Sequence, residues 1–74
     1  MHGIEAVDDG TGVTVGMRGE FDAYLLPDLR EVLAHACASG KPVVVDLSGV
    51  TFLDLRSARE LVLRSLTQAS HIAF

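Results

Sequence analysis

The sequence has little of the chemistry that marks several common classes of small protein. It holds one cysteine and no tryptophan in 74 residues, and aromatic residues make up only 5%. A single cysteine excludes an internal disulfide, which indicates a reducing compartment such as the cytoplasm. No stretch approaches the run of about 18 apolar residues that a membrane span requires. The acidic N-terminal segment also lacks the basic start of a signal peptide.

Basic residues are few as well. Six lysines and arginines stand against ten aspartates and glutamates, for a net charge of −4. Because nucleic acids and anionic lipids are bound by basic clusters, we expect neither nucleic acid nor membrane as a partner. Apolar residues, at 49%, are abundant. They exclude a disordered chain, and they predict that some apolar surface stays exposed because one small core cannot bury all of it. The length predicts a single domain over residues 1–74.

Hydrophobic periodicity predicts an α/β fold with the element order β-β-α-β-α-β. The predicted elements are strands at Ile4–Val7 and Val13–Arg18, a helix at Asp22–Ser39, a strand at Pro42–Leu47, a helix at Leu55–Ala69 and a last strand beginning at His71. Asp8 to Gly12 forms the predicted hairpin turn. Pro27 is expected in the first turn of the first helix, and Gly40 just after its end. The result is a small mixed sheet with amphipathic helices packed on it.

The second half of the chain predicts a buried strand followed by a capped helix. Val43, Val44 and Val45 do not alternate with polar residues, which is typical of a strand covered on both faces. Ser48-Gly49 is expected to form a turn, and Asp54 to cap the second helix. The stripe expected to face the sheet is Leu55, Ala58, Leu61, Val62, Leu66 and Ala69, and the solvent side Arg56, Arg59, Glu60, Arg64 and Gln68.

Three segments in order resemble the STAS family, named for sulfate transporters and anti-sigma factor antagonists. They are Gly19-Glu20-Phe21-Asp22, Leu26-Pro27-Asp28-Leu29-Arg30, and the run from Val43 to Asp54. Domains of this family continue past the fourth strand with further helices. The resemblance therefore implies that the chain is truncated at its C-terminus, or that another chain covers the bare sheet face and residues 72–74.

The resemblance implies a regulatory function. Antagonists of this family bind an anti-sigma factor that is also a serine kinase, and phosphorylation of a serine just after the motif aspartate ends the binding. In this sequence Leu55 replaces that serine and cannot accept phosphate. Ser57 is the candidate phosphosite that remains, but it lies about 200° further round the helix. Loss of the phosphoswitch is the expectation.

The resemblance places a partner-binding surface at the turn between the valine strand and the second helix, and on the exposed side of that helix. Its predicted residues are Asp22, Ser48, Thr51, Asp54, Arg56 and Arg59. Local roles accompany this prediction: Asp22 as a turn residue, Asp54 as a helix cap, and turn hydroxyls at Ser48 and Thr51. Tyr24 is expected to pack at the start of the first helix.

The alternatives lie in other classes of function. One is a STAS-type scaffold or sensory subunit that assembles with other STAS domains or with copies of itself, and another is the appendage of a transporter. A small hydrolytic enzyme that uses Ser48 is the third, although the sequence lacks a nucleophile elbow. The three histidines share no ligand spacing with Cys37, so we expect neither a metal nor another cofactor.

Overall fold

The computed structural model describes residues 2–67 and 72–73. In chain order the elements are β1 (His2–Asp8), β2 (Val13–Phe21), a 3-10 turn (Ala23–Leu25), α1 (Leu26–Ala38), β3 (Val43–Leu53), α2 (Leu55–Thr67) and β4 (Ile72–Ala73). This order confirms the predicted β-β-α-β-α-β pattern. The predicted helix end at Ala69, and the His71 and Phe74 positions of the last strand, lie outside the described residues.

The strands form one mixed sheet in the order β1-β2-β3-β4. β1 and β2 are antiparallel, whereas β2, β3 and β4 are parallel neighbours. A tight turn closes the hairpin, because the Asp9 carboxylate accepts hydrogen bonds from the amides of Thr11 and Gly12, both at 2.9 Å. A helix bridges each parallel step, as crossover connections require. The predicted fold class is confirmed.

α1 begins and ends where the sequence signals place it. Pro27 lies in the first turn, where its missing amide hydrogen breaks no helical bond. Gly40 follows the last turn with a φ of 74°, a left-handed conformation that costs glycine little. These two residues fix the helix bounds within a few positions of the expected ones.

The core lies on one face of the sheet, beneath the helices. The buried apolar side chains are Val13, Val15, Met17, Phe21, Leu29, Leu33, Ala36, Cys37, Val43, Val45 and Leu61. Val44 lies between buried Val43 and Val45 but is itself exposed. The prediction that β3 is covered on both faces is therefore wrong. Valine suits an extended backbone through its stiff χ1, so a valine run does not require two layers of helix.

β3 runs unbroken through Ser48 and Gly49, so the predicted turn there is wrong. β3 has 11 residues against 9 in β2, and the pairing shifts register twice. The Ser48 amide donates to Asp46 Oδ1 at 2.9 Å, which is the local bond that a turn would also make. The sheet absorbs the extra residues as bulges.

α2 packs on the core through only part of the predicted stripe, in which Leu61 is buried and Ala58 half-buried as expected. Ser57 and Leu61 are buried, whereas Leu55, Val62 and Leu66 are exposed. The solvent-side prediction holds for Arg56 and Arg59 but is wrong for Glu60 and Arg64, which are half-buried. Glu60 lies against α1, because Arg30 of α1 donates to it at 2.9 Å, and Arg64, one turn further along α2, donates to it at 3.1 Å. The interhelical ion pair between Arg30 and Glu60 helps to orient this side of α2 towards α1. Gln68 lies outside the described residues.

Candidate partner-binding site

The carboxyl ends of β2 and β3 meet at one edge of the sheet, which we call the carboxyl edge. Phe21 pairs with Leu53, the last residues of their strands. The Asp54 amide donates to the Phe21 carbonyl at 2.7 Å. This hydrogen bond joins the two chain segments just after the last paired residues of β2 and β3. Asp22 and Asp54 directly follow these strand ends. The fold therefore brings two of the predicted site residues together, although 31 other residues lie between them in the sequence.

Both aspartates act as caps. Asp22 Oδ1 accepts from the Tyr24 amide at 3.0 Å and caps the 3-10 turn. Asp54 Oδ1 accepts from the Arg56 amide at 2.8 Å, and the Asp54 carbonyl accepts the first helical bond, from Ala58. Each carboxylate thus satisfies an amide that the helix itself leaves unpaired. The predicted cap role of Asp54 is confirmed, and both groups are held in fixed positions at the carboxyl edge.

Large exposed apolar side chains lie within two residues of these carboxylates along the chain. Tyr24 is 91% exposed and Leu55 82% exposed, and Phe52 is also exposed. Tyr24 was expected to pack at the start of α1, and that expectation is wrong. Leu25 and Leu26 pack against the core directly after it, so the ring has no place there. The only sequence signal for the exposure of Tyr24 was its position, which does not fit the three- and four-residue steps that connect the buried residues Leu29 and Leu33.

Two cations lie on the exposed surface of α2 next to the carboxyl edge. Arg56 and Arg59 are exposed, and neither makes an ion pair within the part of the chain that the structure describes. Arg30, Arg64 and Lys41, in contrast, are all paired. Arg56 also stands in the first turn of α2, where a cation meets the positive end of the helix dipole. Both guanidinium groups are available to an acidic partner.

Ser57 faces the interior. Its side chain is 0% exposed, and its hydroxyl oxygen has no hydrogen-bond partner among the described residues. A kinase cannot reach this oxygen in the folded chain. The candidate phosphosite stays a prediction, and its burial argues against it.

Ser48 and Thr51 lie in β3, and not in a loop between the valine strand and the second helix as predicted. Ser48 is exposed on the open sheet face, beside a shallow groove that Glu5, Gly16 and Arg18 also line. Hydrogen bonds from Ser48 hold the pKa of Asp46 below its usual value. Thr51 is exposed two residues before the strand ends. The structure therefore groups Asp22, Asp54, Arg56 and Arg59 around the carboxyl edge and leaves Ser48 on a different surface.

The described residues contain no cluster of three or more metal-ligating side chains. No helix within them is long and apolar enough to cross a membrane. The carboxyl groups with lowered pKa values are Asp8, Asp9, Asp46 and Glu60. Each has a local hydrogen-bond partner or an ion-pair partner that explains its lowered pKa. The arrangement suits binding of another surface by apolar contact and charge.

A protein-family model matches most of the chain. The family model described as "Mlab, STAS domain" matches residues 4–71. The matched range includes the carboxyl edge and the whole of α2, which ends at Thr67. No curated protein matches the chain.

Proposed function

The chain belongs to the STAS domain family, and from that premise we propose that it binds an anti-sigma factor or serine kinase-type protein through its carboxyl edge. The family includes anti-sigma factor antagonists, and its domains are generally non-enzymatic regulatory or binding domains. In this proposal the chain is a regulator of transcription in the cytoplasm of a bacterium, and it catalyses no reaction itself.

One observation carries the proposal: each of two fixed carboxylates at the carboxyl edge has a large exposed apolar side chain within two residues along the chain. Leu55 and Tyr24 leave large apolar surfaces in water, a costly arrangement that a docked partner would relieve. Asp22 and Asp54 are held by their caps, so they lose little conformational freedom on binding. An aromatic anchor such as Tyr24, with neighbouring groups already ordered, is typical of the residues that contribute most to a protein interface.

Binding does not depend on phosphorylation in this proposal. Leu55 has no hydroxyl, and the hydroxyl of Ser57 is buried. The same two facts favour a second candidate, a scaffold or sensory subunit that assembles with other STAS domains and has no phosphoswitch. The two candidates differ in the partner, a kinase-type protein or another STAS domain.

Calorimetric titration of the chain with a purified kinase-type anti-sigma factor tests the proposal. We expect a complex, and we expect Tyr24→Ser with Leu55→Asp to weaken it by about tenfold or more, as loss of an interface anchor does. Asp suits the first turn of α2, so that variant should keep its fold. Val7→Thr, on the open face, is the control and should bind like the wild type. Absence of any complex would overturn the proposal.

Mass spectrometry after incubation with the kinase and ATP tests the missing switch. We expect no phosphate on the folded chain. Phosphate on Ser57 would show that the buried hydroxyl becomes accessible and that a switch operates. Co-elution with another STAS domain in place of the kinase would favour the second candidate.

A further inference from the structure

The second helix exposes an apolar stripe that nothing in the described chain covers. Leu55, Val62 and Leu66 are separated by two turns and then one turn, so they follow one line along the helix. All three are exposed, and the side that carries buried Ser57 is about 200° round the axis from Leu55. We call these three residues the α2 stripe. It extends about 16 Å along α2 from the carboxyl edge.

The charge beside the stripe is positive on a domain that is acidic as a whole. Arg59 lies one turn after Leu55 on the same side, and Arg56 lies next to the first leucine. Neither has an ion pair with a described residue, although the full chain carries a net charge of −4. Glu60, the acidic residue of α2, is already bound by two other arginines. The stripe is therefore apolar with an unneutralised cationic flank.

This charge argues against a second copy of the chain as the occupant. Packing α2 on the α2 of another copy would bring four arginines into one interface, two copies each of Arg56 and Arg59, with the Glu60 carboxylates already engaged. Like charges so placed in an interface are strongly unfavourable. A membrane is also disfavoured, because two arginines attract anionic lipid weakly and the net acidic chain is repelled by it.

We infer that α2 docks as an amphipathic helix into an apolar groove of a partner protein, with carboxylates on the rim of that groove facing Arg56 and Arg59. Leu55, Val62 and Leu66 act as the anchors, at the spacing that helix-in-groove recognition uses. The inference rests on the proposed function and adds the chemistry of the partner's surface. The inference also divides the proposed interface into two parts. One is the carboxyl edge, and the other is the end of the α2 stripe that lies farthest from that edge.

Variants beyond the carboxyl edge test the groove independently of it. In titrations with the kinase-type anti-sigma factor, we expect Val62→Gln with Leu66→Gln to raise the Kd about tenfold or more. Val7→Thr is the matched control, since Val7 is 54% exposed and Val62 53%. Arg56→Gln with Arg59→Gln should weaken binding and remove most of its dependence on salt. A complex unaffected by both double variants would overturn the inference and leave the proposed function standing.

Two measurements without a partner decide the inference if no complex forms with that probe. By analytical ultracentrifugation the wild type should stay monomeric at low salt, and Arg56→Gln with Arg59→Leu should self-associate, because the repulsion is gone and the stripe remains. In flotation assays, vesicles with anionic lipid should not retain the chain. Three results would each overturn the inference. They are wild-type dimers that are lost in Val62→Gln with Leu66→Gln, retention of the chain on anionic vesicles, and a variant with Arg56→Gln and Arg59→Leu that stays monomeric.

Discussion

At the scale of single residues, the cap of α2 is the clearest link between sequence and stability. Asp54 Oδ1 accepts from the Arg56 amide, and replacing it with alanine leaves that amide without its partner. We expect Asp54→Ala to lower the free energy of unfolding by about 1 kcal/mol, as loss of an N-cap does. Urea unfolding at neutral pH measures it. Asp54→Ser keeps an acceptor and should retain most of the stability, so an equal loss in both variants would contradict the cap role.

The buried hydroxyl of Ser57 predicts a change of the opposite sign. A polar atom removed from water without a hydrogen bond costs about 1–3 kcal/mol. Ser57→Ala removes that atom and adds no volume, so we expect the free energy of unfolding to rise. Ser65→Ala is the matched control on the same helix, since the Ser65 hydroxyl donates to the Val62 carbonyl at 2.7 Å. Equal effects of the two substitutions would show that Ser57 has a partner.

At the scale of elements, the existence and order of strands and helices could be predicted, but which faces are covered could not. Val43 to Val45 predicts a strand correctly, because valine favours an extended backbone whether its side chain is buried or exposed. α2 carries apolar residues on more than one side, so periodicity alone did not tell which of them the sheet would bury. The ion pair of Arg30 with Glu60 depends on contact between two helices, and no local pattern encodes that contact.

The bulged part of β3 predicts a specific intolerance. A Cβ on Gly49 would lie 3.0 Å from Arg18 Cβ and 3.3 Å from the Met17 carbonyl oxygen, and both belong to the paired strand β2. We expect Gly49→Ala to cost about 1–3 kcal/mol of unfolding free energy, the usual range for overpacking. Gly16→Ala is the control, because its Cβ would have its nearest contact at 4.0 Å. Chemical denaturation of both variants compares them, and a tolerant Gly49 would mean that the bulge can shift.

At the scale of the whole molecule, the candidate site arises because parallel strands end together. The resemblance of Asp22 and Asp54 to family positions predicted both residues, and the pairing of Phe21 with Leu53 explains why they are neighbours. Ser48 was assigned to the same surface because a turn was expected there, and the continuous strand moves it to the open face. Tyr24 was missed, because its exposure follows from how Leu25 and Leu26 fill the core.

The contact between the two helices predicts how the stability of the whole domain depends on pH. The hydrogen bond from Arg30 is the largest cause that lowers the pKa of Glu60 from its ordinary 4.5; burial opposes it, and a further bond from Arg64 adds to it. Because the pKa is lower in the folded chain than in the unfolded chain, this stabilisation is present above pH 4.5. It is lost as the pH falls through the lower, folded-state value.

Glu60→Gln should therefore flatten the acid limb of a plot of unfolding free energy against pH, measured by urea unfolding at each pH. At neutral pH we expect it to cost about 1 kcal/mol, since Arg30 is largely exposed to solvent and water screens its pair. Ala34→Gln, at an exposed position of α1 that carries no titratable group, is the control and should leave the acid limb as steep as in the wild type. An acid limb that Glu60→Gln leaves unchanged would show that the two helices are held together by the apolar core alone.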